Sequence, residues 1–181
     1  MRAEPAELVF ISYKHIEHST RVARRLRNAL EVVSDALGFR VFLDDEDLRA
    51  SDNWQDEVNA ALNGMTHFIA LLTDDFWLSP ECRRELNAAI NRYEDGKKTR
   101  LLFVLIDDMR PDLLSLNPDR RAGRLVSDDP KVQRIGDIHF LGPYNSAKQL
   151  VRLQWENEAV LRDQIKQLID HFERTLPARG H

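Results

Sequence analysis

Thr66-His67-Phe68-Ile69-Ala70-Leu71-Leu72-Thr73 is followed, after Asp74, by Asp75-Phe76-Trp77-Leu78-Ser79-Pro80-Glu81-Cys82-Arg83-Arg84-Glu85-Leu86. The first run is short and apolar, with β-region residues, and reads as a buried strand. The second reads as a loop that becomes a helix. Ser79 is a good N-cap, because its hydroxyl can accept a free backbone N–H of the first turn. Pro80 falls at the first helical position, where its missing N–H costs nothing. Cys82, Leu86, Ala89, Ile90 and Tyr93 then recur at helical spacing, so one face is buried. Glu81 meets the positive end of the helix dipole. Glu85, one turn deeper, has no capping role and flanks the apolar stripe. A strand feeding such a helix places Glu85 near the carboxyl end of a strand, where open α/β sheets hold their ligands.

Upstream, Leu8-Val9-Phe10-Ile11-Ser12 is another buried strand, and Tyr13 to His18 a polar loop. Ser19 or Thr20 can open the next helix, whose apolar positions run from Val22 to Leu37, and Gly38 closes it. Phe39 to Leu43 is the second strand. Asp44 to Asn53 is an acidic loop, and Trp54 to Leu62 a helix ended by Gly64. Downstream of the opening stretch, Leu101 to Ile106 is the most apolar run and is expected to be a central fourth strand. Strand and helix therefore alternate, which predicts a flavodoxin-like parallel sheet of about five strands with helices on both faces. Residues 107–133 are rich in Asp, Arg and Pro and read as an irregular elaboration with one short helix. Asp137 to Leu141 can be a short edge strand, broken by Gly142-Pro143. Ser146 to Leu176 is expected to be helical, with Asn157 as a point of interruption. One domain is expected over 1–181, with its core at about 8–176.

Composition narrows the function classes. The 181 residues suffice for a real core, and 43% hydrophobic with 31% charged residues suits a folded soluble chain. A formal charge of −4 argues against general nucleic-acid binding. A single cysteine rules out an internal disulfide and fits a reducing compartment. Met1-Arg2-Ala3-Glu4-Pro5 lacks the apolar core of a signal peptide, and no run approaches the roughly 18 apolar residues of a membrane span. A cytoplasmic protein that binds neither nucleic acid nor membrane is expected. Gly-rich phosphate loops, HExxH and CxxC are all missing from the sequence.

Ser79-x-x-Cys82-x-x-Glu85-Leu86 after a strand ending Leu71-Leu72-Thr73 resembles the TIR (Toll/interleukin-1 receptor) domain family, more narrowly its NAD-consuming, bacterial-type branch. Phe10-Ile11-Ser12-Tyr13 matches that family's first conserved box. The resemblance covers Leu8 to about Ile106 and implies a TIR fold, NAD+ as substrate without a prosthetic group or metal, and self-association with other TIR domains. It implies that Glu85 is the catalytic carboxylate. Tyr13, Lys14 and His15, after the first strand, line the nucleotide site in NAD-cleaving members. Physically, Lys14 can balance a pyrophosphate and Tyr13 can stack on a base. Asp44, ending a strand at the carboxyl edge, can bond a ribose hydroxyl. Ser79 and Cys82 are expected in the site wall. Cys82 reads as packing rather than a nucleophile, since no positioned His partner is evident. Trp54 is either core or a stacking surface.

Two departures stand out. Ala50-Ser51 occupies the place where the family's BB loop carries Pro-Gly. Glu81 stands where NAD-consuming members carry Trp, so Phe76 or Trp77 would have to supply that stacking surface. The acidic loop Asp44-Asp45-Glu46-Asp47 does not match a Ca²⁺ loop, lacking the turn glycine and the closing Glu in register. The expected activity is therefore NAD+ glycohydrolysis in bacterial immune signalling, giving nicotinamide and ADP-ribose or a cyclic ADP-ribose variant. Alternatives are a non-catalytic TIR–TIR interaction module, a nucleoside-processing enzyme of related architecture and, for Glu85 alone, a surface glutamate paired with Arg83 or Arg84.

Overall fold

A computed structural model describes residues 7–45, 53–96, 99–107 and 139–176. The strands are β1 (Glu7–Tyr13), β2 (Phe39–Leu43), β3 (His67–Leu72), β4 (Arg100–Leu105) and β5 (His139–Gly142). They form one sheet in the order β2-β1-β3-β4-β5, with every pairing parallel. This is the expected flavodoxin-like order. The middle strand is β3, whose six residues are all buried. By apolarity that place falls to Leu101–Ile106. Both are uninterrupted apolar runs because both are covered on two faces, so apolarity alone does not rank them.

The helices are α1 (Glu17–Leu37), α2 (Trp54–Gly64), α3 (Asp74–Leu78), α4 (Pro80–Glu94) and α5 (Glu158–Glu173). Successive strand residues point to opposite faces, and two cores result. Phe10, Phe68, Ala70, Leu72 and Phe103 pack beneath α2, α3 and α4 with Val58, Phe76 and Leu86. Val9, Ile11, Ile69, Leu71 and Val104 pack beneath α1 and α5 with Leu26, Leu30, Leu161 and Leu168. Phe10 stacks on Phe68 at 5.9 Å between centroids. Each fully buried phenyl ring contributes about 1.5–3 kcal/mol through area removed from water.

Several boundaries differ from the sequence reading. Helix α1 opens at Glu17, with Ile16 at the cap position and no side-chain cap. Ser19 lies inside the helix, fully buried, so neither Ser19 nor Thr20 starts it. Gly38 does close it in the left-handed conformation, φ 68°. The stretch after Thr73 contains the short helix α3 rather than a plain loop. Thr73 caps it by accepting from the Phe76 N–H at 3.0 Å.

Of the described residues from 146 to 176, only Glu158–Glu173 is helical. Asn157 is the cap, accepting from the Val160 N–H at 3.2 Å. Upstream, the Asn145 side-chain oxygen accepts from the N–H groups of Ala147 and Gln149, each at 3.0 Å. Gln164 accepts from the Gln154 N–H at 2.7 Å. Those bonds hold the backbone of this stretch out of the helical conformation. The expected edge strand is present as β5, beside β4. The expected irregular segment falls outside the described residues apart from Asp107.

Candidate functional site

The site lies at the carboxyl ends of β1 and β2, against the start of α4. Alternation along β1 turns Ser12 toward the same face as Phe10, the face covered by α4. Across the sheet Ser12 is in register with Ala70, whose methyl side chain leaves room above it. Helix α4 starts at Ser79, whose hydroxyl accepts from the Cys82 N–H at 3.4 Å and donates to Glu81 at 3.0 Å. One turn on, Glu85 follows Cys82 on the inward side. Its side chain is 4% exposed, and its Oε2 accepts from the Ser12 hydroxyl at 2.5 Å.

Tyr13, Lys14, His15, Asp44, Ser79, Cys82 and Glu85 line one cavity with Glu81, of about 70 Å³. Seven of the eight residues singled out from the sequence thus meet at one place. They come from three separate parts of the chain. The rings of Tyr13 and His15 lie 4.6 Å apart, tilted by 33°. Three carboxyl groups, those of Asp44, Glu81 and Glu85, share this wall with the Lys14 ammonium. Such a wall offers acceptors for hydroxyl donors together with one cation for an anionic group.

Trp54 is the residue that does not line the cavity. Its indole N–H donates to Asp44 Oδ1 at 2.7 Å, while its ring packs half-buried against the core under α2. It therefore holds the Asp44 carboxylate instead of presenting a face to a ligand. Next to it, Arg24 forks onto Asp45 with bonds of 2.9 and 2.7 Å. Phe76 and Trp77 are also no stacking surface, being 0% and 4% exposed within the core. Both lie on α3 itself, an element not expected from the sequence, which turns them into the core.

Cys82 is 2% exposed, and burial pushes its thiol up to about 12. The Ser79 hydrogen bond and the Lys14 charge pull the other way but do not offset burial. At neutral pH the group is a thiol, which fits a packing role. The surface-glutamate alternative for Glu85 fails on burial. Arg83 and Arg84 are exposed and line a different groove along the outer side of α4.

Ser12 is a site residue that sequence alone does not single out, although it stands in the Phe10-Ile11-Ser12-Tyr13 box. The available signal was its parity with Phe10, which sends it toward the helix that carries Glu85. Arg24 was legible only as part of a charged helix face.

A family model described as TIR domain matches residues 9–135 of the chain. The chain belongs to the TIR domain family. A search of the curated proteins found no match. The match begins on β1 and spans Glu85 and the whole cavity wall, so this TIR domain carries its candidate site inside the family core. No helix among the described residues is long and apolar enough to cross a membrane.

Proposed function

We propose that this TIR domain cleaves NAD+ at the bond between nicotinamide and ribose, with Glu85 as the catalytic carboxylate. The observation that carries the proposal is a 4%-exposed glutamate lining a cavity at the carboxyl edge of a parallel sheet, where such folds hold ligands and where glutamate, seldom so buried, is costly to place. The pyridinium charge makes nicotinamide a leaving group that needs no protonation. As it departs, positive charge develops on the ribose, as in glycoside hydrolysis, and one carboxylate beside the anomeric carbon stabilises or attacks it. Asp44 and Ser79 are polar groups suited to ribose hydroxyls. Lys14 is the cation suited to the pyrophosphate and half-buried His15 the ring suited to a planar base, whereas Tyr13, 3% exposed and packed with the α1 and α5 core, borders the site as wall and offers no stacking face. Cys82 serves as wall. Trp54 supports Asp44.

A site for a drug-sized ligand spans about 300–1,000 Å³. The 70 Å³ cavity accommodates the reacting part of a dinucleotide and not the whole of it. The remainder lies against surface that self-association supplies, which fits activity dependent on assembly. Products are nicotinamide with ADP-ribose or its cyclic variant, in bacterial immune signalling. The test is nicotinamide release from NAD+ by the protein clustered through an oligomerising fusion, with Glu85→Gln as the paired variant. A Gln variant with wild-type turnover removes Glu85 from the chemistry.

A second reading, a non-catalytic module for TIR–TIR association, is favoured by one observation. Leu78, 61% exposed, borders a groove of about 610 Å³ on the outer side of α4 with Arg83 and Arg84. Measurable self-association without any NAD+ turnover in the clustered protein selects this reading.

A further inference from the structure

We infer that Ser12 is the positioning residue for Glu85. This role rests on the proposed NAD+ cleavage and adds to it a residue of β1 that no ligand need touch. Three observations support it. First, the Ser12 hydroxyl donates to Glu85 Oε2 at 2.5 Å, with 73 residues of chain between them. Second, both side chains are buried, Ser12 at 1% and Glu85 at 4% exposure. Third, the two sit on different kinds of support. Ser12 is held by ladder pairing with β3 at Ala70, while Glu85 rides on a helix six residues beyond its cap.

A glutamate side chain has three rotatable bonds, and at the start of a helix it can swing toward solvent or toward the helix's own first turn. A donor anchored in the sheet removes that freedom. A bond from a hydroxyl to a buried carboxylate is among the stronger hydrogen bonds available to a protein. The serine also replaces some of the hydration that the carboxylate loses on burial. Ser12 has the right parity to do this, whereas Tyr13, on the opposite parity, packs with the α1 and α5 core. The small Ala70 beside it leaves the hydroxyl unobstructed.

The bond restricts the carboxylate and does not bind the dinucleotide. Its removal therefore acts on the chemical step. In the clustered full chain, Ser12→Ala lowers kcat about 10- to 100-fold, the size of one lost charge-assisted hydrogen bond. The KM for NAD+ stays within about twofold, because the groups proposed to bind the ligand are untouched. Ser12→Thr, which keeps the hydroxyl and suits a strand, restores most of kcat. Rates are referred to folded protein by near-ultraviolet circular dichroism, so that a loss of stability does not pass for a loss of rate. Wild-type turnover with an unchanged kcat in Ser12→Ala overturns the positioning role alone. Equal losses in the Ala and Thr variants, or a change confined to KM, mark packing or binding and also overturn it. A wild-type protein that releases no nicotinamide when clustered removes the NAD+ cleavage reading, and the positioning role with it.

Discussion

Cys82 is the only cysteine in the chain, so thiol chemistry reports on one point in the cavity wall. Its thiol is pushed up to about 12, first by burial, with Ser79 and Lys14 opposing. At pH 8 a group of that acidity is about one part in 10⁴ thiolate, against roughly a quarter for a free cysteine of pKa about 8.5. Since the thiolate is the nucleophile, ionisation alone slows alkylation by about 10³-fold relative to the unfolded chain. The 2% exposure slows it further. The assay is iodoacetamide labelling at pH 8, followed by intact mass, in buffer and in 6 M guanidinium. The folded protein is expected to stay unlabelled on the timescale that modifies the denatured chain fully. The same proton has a thermodynamic consequence. The folded state keeps it and the unfolded state loses it, so the unfolded state binds fewer protons above pH 9. Stability therefore falls as pH rises from about 9 to 12, by about 1.4 kcal/mol per pH unit from this group, and Cys82→Ala removes that slope. Folded-state labelling within tenfold of the denatured rate would refute the buried-wall assignment.

Three further outcomes follow from single side chains. Burial lowers the pKa of His67 below its usual 6.5, with Glu7 opposing, so the unfolded chain holds more protons in acid; stability is full above 6.5 and falls as pH drops through the folded value. His67→Asn is expected to flatten that acid limb in urea titrations, and an unchanged slope would contradict it. Trp54→Phe keeps an aromatic ring, though a smaller one, and removes the 2.7 Å donor to Asp44; about 1 kcal/mol of stability and a several-fold weaker KM are expected, against no change in KM if Asp44 needs no support. Asn157→Ala removes the α5 cap and is expected to cost about 1 kcal/mol in chemical denaturation, whereas a neutral result would show that tertiary packing alone sets where α5 begins.

The fold was legible because its signals are local and repeated. Uninterrupted apolar runs in β1, β3 and β4 alternate with 3.6-periodic stripes, and Ser79-Pro80 marks the start of α4. The candidate site was legible through motif context, since Tyr13 to His15 and Asp44 stand at strand ends and Ser79 to Glu85 open the helix that follows β3 and α3. What escaped depended on partners far along the chain. Whether Trp54 faces a ligand or holds Asp44 is decided by a hydrogen bond across ten residues, and its ring looks the same in either case. Phe76 and Trp77 were free to serve as stacking surface only while α3 was unrecognised. Thr73 followed by two aspartates was the cap signal for that helix. In the C-terminal part, helical periodicity is real from Leu161 onward. Asn145 and Gln164 set the conformation of the preceding stretch through side-chain-to-backbone bonds that periodicity does not register.

Nicotinamide release from NAD+ by clustered wild-type protein beside clustered Glu85→Gln is the most direct measurement of what this domain does. One full charge about 4 Å from a developing cation in a site of effective dielectric about 20 is worth about 4 kcal/mol, or roughly 10³-fold in rate. The expected result is turnover in the wild type and a loss of that order in the variant, with both proteins equally folded and equally assembled. Equal turnover in the two, or none in a wild-type protein shown to self-associate, contradicts a catalytic Glu85.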